Sequence, residues 1–150
     1  MAKERVLRAE IWVDGEIEKV FEFFSDARNL QLITPPWLKF EIISPTPIEM
    51  KVGTLIDYRL KVRGFPLKWR TLISAWEPPH RFVDEQIKGP YRQWIHEHTF
   101  EAKDGGTLVI DYVRYKAPFH FISDPLLVRR DVEKIFSFRT ECLKSKDWRA

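Results

Sequence analysis

The sequence predicts an α+β domain in which a curved antiparallel sheet of about seven strands grips one long C-terminal helix, and three observations carry that prediction. Residues 37–117 fall into six β-patterned runs divided by short turn signals. Two short helical runs stand between these and a first alternating strand, and the stretch from Pro125 onward repeats apolar side chains at spacings of three and four. Short connections demand antiparallel neighbours, because a parallel crossover takes about a dozen residues.

The first run, Arg5 to Val13, places Leu7, Ala9, Ile11 and Val13 on one face and Arg8 and Glu10 on the other, the pattern of a half-buried strand. Asp14 is the expected N-cap of a helix bearing Ile17, Val20, Phe21 and Phe24, and Asp26 that of a second helix over 27–33. Thr34-Pro35-Pro36 ends the second helix, since proline biases its predecessor away from helix. Strands are expected at 37–44, 54–63, 67–77, 81–88, 91–101 and 106–117, punctuated by prolines, glycines and Asp104. Ser123-Asp124-Pro125 opens the final helix, whose stripe of Val128, Val132, Ile135, Phe136, Arg139 and Leu143 needs the concave face of the sheet as its cover.

A chain of 150 residues is the size of one domain, residues 1–150, and nothing in it reads as a linker or repeat. Its 11 Phe, 6 Trp and 4 Tyr call for an aromatic core or pocket. The net charge of +3 arises from 25 basic and 22 acidic residues spread along the chain, with Lys61, Arg63, Lys68 and Arg70 on a solvated sheet face, so nucleic acid is not an expected partner. The lone Cys142 reads as an inert thiol on the last helix. Without a membrane-length apolar run or a signal-like N-terminus, the expected location is the cytoplasm.

His96 and His98 stand two apart on one strand, so their rings share a face. Two histidines do not close a metal site, and a third ligand would have to come from Asp84, Glu85 or Asp111; no metal and no cofactor is expected. Asp84 and Gln86 also share a face. At the turn Lys88-Gly89-Pro90-Tyr91, a three-residue loop sets Asp84 opposite Trp94 on the histidines' side, and a two-residue loop sets them on opposite sides. Trp69, Thr71 and Ile73 alternate on one strand, and Val109, Asp111, Val113 and Tyr115 on the last, where Trp69, Asp111 and Tyr115 add polar handles to apolar bodies. His80 and His120 fall in surface positions. Arg129, Arg130, Arg139, Lys144 and Lys146 read as an exposed basic face; with the apolar loop Pro118 to Ile122 they offer membrane contact as an alternative.

The element order resembles the helix-grip fold of the START-like, or SRPBCC, superfamily over nearly the whole chain. More specifically, Asn29-Leu30 with Ile33-Thr34-Pro35-Pro36, Trp69, Trp76-Glu77-Pro78-Pro79, Phe82 to Gln86, Gly89-Pro90-Tyr91 and Trp94 to Phe100 resemble the subgroup often labelled cyclase/dehydrase or cell division inhibitor. The resemblance implies an apolar cavity between sheet and long helix, and it favours one polar cluster inside that cavity. The strand faces and the resemblance together give Trp69, Thr71, Asp84, Gln86, Trp94, His96, His98, Asp111 and Tyr115 as the expected ligand-binding residues. It also implies possible association with an epimerase-like domain, of which this chain carries no glycine-rich fingerprint.

The function expected first is binding of a small apolar or amphipathic ligand without catalysis. A cyclase or dehydrase using an Asp-oriented imidazole on an aromatic or polyketide substrate is the second reading, and an interaction domain with a filled cavity the third.

Overall fold

The computed structural model describes residues 3–118 and 125–149. Its elements run β1 (Glu4–Val13), α1 (Ile17–Ser25), α2 (Asn29–Leu32), a 3-10 turn (Pro36–Leu38), β2 (Glu41–Ile42), β3 (Leu55–Val62), β4 (Phe65–Glu77), β5 (Arg81–Lys88), β6 (Tyr91–Lys103), β7 (Gly106–Pro118) and α3 (Pro125–Ser145). Seven antiparallel strands form one sheet in the order β1-β7-β6-β5-β4-β3-β2, so the first strand closes onto the last and the rest is a meander. This is the predicted α+β architecture, the helix-grip arrangement included. Among the described residues no helix is long and apolar enough to cross a membrane.

The period-two pattern produces the sheet. Along β7, Val109, Asp111, Val113 and Tyr115 are all buried while Tyr112 is exposed, so one face packs and the other meets water. The packed face is concave and receives α3, whose Val128, Val132, Phe136, Arg139 and Leu143 are buried at the spacing that keeps them on one stripe. One core cluster sets Phe21 and Phe24 of α1 against Phe82, Phe100 and Trp148; a second sets Val132 and Phe136 against Val113 and Tyr115. Trp148 packs so near the backbone that a Cβ at Gly15 would lie 2.9 Å from its Cβ, which explains the glycine there.

Local expectations differ from the structure at four places. The strand expected over 37–44 shrinks to Glu41–Ile42, because Pro36 opens a 3-10 turn that Lys39 leaves in the left-handed region (φ 49°). Asp14 does not cap α1; Glu16 stands at the N-cap without a side-chain bond, and Asp14 pairs instead with Arg149 at 2.8 Å. Asp26 accepts from the Arg28 backbone N–H at 3.0 Å, an Asx turn that delays α2 to Asn29. Phe65-Pro66, expected in a break, begins β4, since Arg63 (φ 51°) and Gly64 (φ 82°) make the tight turn by themselves. The Ser123-Asp124 cap, His120 and the apolar loop after Pro118 lie outside the described residues.

Candidate functional site

The centre of the sheet brings together four ionisable side chains that the sequence scatters over 28 residues. β5, β6 and β7 are neighbours, with Asp84 opposite His96, His96 opposite Val113 and His98 opposite Asp111. This register puts Asp84 on the histidines' face, opposite His96 rather than Trp94; the slip is two residues, which preserves the side. Asp111 joins them because its partner in the ladder is His98. α3 adds Arg139, only 5% exposed, which corrects its expected place on a solvated basic face.

These five groups form a closed network. Arg139 donates from Nε to Asp111 Oδ2 at 3.2 Å and from Nη2 to Asp111 Oδ1 at 3.1 Å, a two-point guanidinium–carboxylate pair. Burial pushes the Asp111 carboxyl up, but the Arg139 charge and the hydrogen bond from His96 outweigh it and hold it well below the usual carboxylate range. Asp111 is therefore ionised, and His96 donates to it from Nε2 at 2.8 Å. Arg139 Nη2 also stands 3.4 Å from His98 Nδ1, which leaves the His98 proton on Nε2 to be donated to Asp84 Oδ2. Burial and the neighbouring His96 push His98 down to about 4, so its ring is neutral at pH 7. At Asp84 burial again acts upward, and His96 and His98 more than offset it.

The rings are ordered as well as bonded. His96 and His98 stack with centroids 3.6 Å apart, and Phe82 stacks on the other face of His98 at 4.0 Å. Among the described residues, no buried side-chain nitrogen or oxygen lacks a hydrogen-bond partner. A network completed in this way keeps its charges without the several kcal/mol that an unpaired buried ion costs.

Beside it lies a cavity of about 200 Å³ between the sheet, α1, α2 and α3. Its wall is mainly apolar, from Leu30, Leu38, Ile56, Leu60, Ile73 and Phe136, and along one side Trp69 packs edge to face on Tyr91 and Trp94 with centroids 5.6–5.7 Å apart while Tyr91 and Trp94 tilt against each other at 4.9 Å. The polar groups of the sheet side are Tyr58, Thr71, Asp84, His96 and His98, with Arg139 facing them from α3. Burial together with the Asp84 charge raises the Tyr58 hydroxyl far above its ordinary value.

Of the expected ligand-binding residues, Trp69, Thr71, Asp84, Trp94, His96 and His98 line this cavity. Gln86 does not: its amide donates to Tyr91 O at 2.7 Å and accepts from Tyr91 N at 3.0 Å, stapling the β5–β6 turn. Asp111 stands behind the histidines, and Tyr115 is packed into the core with Val113 and Val132. Sequence reasoning missed Arg139 and Tyr58. A charged residue at stripe spacing between Phe136 and Leu143 was the available signal for the first, and alternation with Ile56 and Leu60 for the second.

Asp84, His96 and His98 also set three possible metal-ligand atoms within 4.8 Å of one another, with Asp111 bonded to His96 Nε2 as an outer carboxylate would be. Against a cation stands Arg139, whose guanidinium already supplies positive charge to Asp111 and His98. Glu85, the other ligand considered from the sequence, is on the opposite face, paired with Ile95.

The fold recurs in solved structures of low sequence identity. The Zhui aromatase/cyclase from Streptomyces sp. R1128 superposes with a TM-score of 0.73 at 15% identity, over 94% of this chain and 92% of its own. Ara h 8.0201 gives 0.68 at 17%, covering 94% and 95%, and major latex-like protein 151 from Panax ginseng gives 0.63 at 14%, covering 93% and 97%. Identities this low establish a shared fold and nothing finer. No curated protein sequence matches. The family model described as polyketide cyclase/dehydrase and lipid transport matches residues 13–137, five-sixths of the sequence, and the chain belongs to that family.

Proposed function

We propose that this protein binds a small, mostly apolar molecule in the cavity beneath α3 and holds it without transforming it. The observation that carries the reading is the cavity itself: apolar and aromatic on most sides, with Asp84, His96, His98 and Arg139 gathered at one place where the sheet and α3 face each other. At about 200 Å³ it is smaller than the roughly 300–1,000 Å³ of drug-sized sites, which suits a molecule of one or two rings or a short chain. What supports binding without turnover is the state of the network, in which the His98 proton is committed to Asp84 and the Arg139 donors to Asp111.

A second reading rests on the Asp111–His96 pair. A carboxylate bonded to one ring nitrogen orients an imidazole, and the other nitrogen, Nδ1, lies 3.7 Å from Asp84, near the cavity wall. That is the arrangement of a general base.

The test is thermal denaturation of the purified protein against small phenols, short-chain alcohols and acids, isoprenoids and aromatic polyketides, with the recovered ligand examined by mass spectrometry. A ligand at one hundred times its Kd adds about 2.7 kcal/mol to stability. A saturable rise in Tm with the ligand recovered intact is the expected result. Recovery of a cyclised or dehydrated product shifts the assignment to the second reading, and no rise with any class leaves a domain that works by contact with another protein.

A further inference from the structure

The polar groups around the cavity are unequally committed. On the side of α1 and α2, Asp26 holds the backbone N–H and the guanidinium of Arg28, Asn29 donates to Phe23 O at 2.8 Å, and Thr34 donates to Leu30 O. These are local bonds that fix the helical connection. On the sheet side His96 Nε2 donates to Asp111, and Arg139 matches the Asp111 charge at two points.

Among the charged groups Asp84 is the exception. Every described contact to its carboxylate falls on Oδ2, from His98 Nε2 and, at 3.7 Å, His96 Nδ1. A carboxylate offers about four acceptor positions, and the Asp84 side chain is 20% exposed where those of His96, His98, Asp111 and Arg139 are 5–7%. The spare acceptor capacity of the wall's charged groups is therefore concentrated at Asp84. The charges add in the same sense: Asp84 and Asp111 are both acidic, Arg139 is the one guanidinium set against them, and His98 is neutral at pH 7. A second carboxylate brought to this wall meets like charge in a poorly solvated place, whereas an O–H meets an ionised acceptor and forms a charge-assisted bond.

Building on the ligand-binding reading, we propose that the molecule held in this cavity is an alcohol or phenol that donates its hydroxyl to the Asp84 carboxylate, and that the wall discriminates against carboxylic acids of the same skeleton. Asp84 is thus the residue that sets ligand class, while the aromatic wall of Trp69, Tyr91 and Trp94 accommodates the apolar body.

Matched pairs test this: 2-naphthol against 2-naphthoate, and 1-octanol against octanoate, titrated into the intact protein at pH 7 by calorimetry. The hydroxyl member of at least one pair is expected to bind at least tenfold more tightly than its acid. In Asp84→Asn the preference falls to within about threefold, the alcohol weakening and the acid gaining, with circular dichroism and Tm checking the fold. An acid that binds the parent protein as well as or better than its alcohol overturns the proposal and leaves the binding reading standing. Binding by neither member of either pair overturns both. The parent comparison decides the matter even if the variant does not fold.

Discussion

Three consecutive residues of β6 show how differently the two faces of this sheet use charge. His96 and His98 point into the concave side, where they join Asp84, Asp111 and Arg139 in a network with little exposure. Glu97, between them, points outward and meets Arg81 at 2.7 Å, and Arg81 also reaches Glu77 at 2.9 Å, all three side chains at least a third exposed. The distances are as short outside as inside. The difference is the solvent: water screens the outer cluster and replaces either partner when it is lost, whereas the inner groups have only each other.

Arg139→Met sharpens this contrast most, because it leaves Asp111 buried beside two imidazoles without its guanidinium. We expect a loss of about 3–5 kcal/mol in urea-monitored unfolding. Adding Asp111→Leu to the same chain is expected to recover part of it, since an apolar pair of similar volume replaces a buried ion pair at little cost. Recovery of nothing would mean that the network serves to hold the concave face together rather than merely to keep its own members satisfied.

Next in size is the pH response. His98 has its folded-state pKa lowered from 6.5 to about 4, so between those values the unfolded chain binds a proton that the folded chain does not. Its contribution is complete above pH 6.5 and is lost as pH falls toward 4, about 3 kcal/mol over the window at roughly 1.4 kcal/mol per unit. Asp84 and Asp111, also lowered, add their losses below the ordinary carboxylate range. His98→Gln is expected to flatten the stability profile between pH 6.5 and 4 and to leave the more acidic limb in place, as chemical denaturation across a pH series will show.

The smallest effect is on the outer face. Arg81→Ala is expected to change unfolding free energy by less than about 1 kcal/mol, and added salt to remove most of even that. A loss of 3 kcal/mol there would abolish the contrast between the two sides.

The concave face was legible residue by residue, because alternation assigns a side without knowledge of the partner strand. Trp69, Thr71, His96, His98 and Asp111 all fall where their period places them. What alternation cannot supply is who stands opposite whom. The side of Asp84 waited on the turn after Lys88, and a slip of two residues decides whether it faces Trp94 or His96. Arg139 was hidden for another reason: its spacing belonged to the buried stripe and its charge to the surface, and only the presence of Asp111 across the gap makes the first choice tenable. The run 37–44 misled because apolar side chains between prolines resemble a strand, while the N–H groups of Leu38 and Lys39 turn back to the carbonyls of Pro35 and Pro36 instead of joining a ladder.

The two ends of α3 are held to the rest of the molecule by fastenings of different kinds. Past its last turn, Trp148 donates to Leu143 O at 3.1 Å, stacks edge-on against Phe23 and fills the space at Gly15, a fastening made of buried contact. Near its start, Asp131 meets Arg63 of the β3–β4 turn at 2.9 Å, an ion pair open to water. Added salt therefore loosens the Arg63–Asp131 pair and leaves the buried contacts of Trp148, and those of Val128 and Val132 near the other end, as they are.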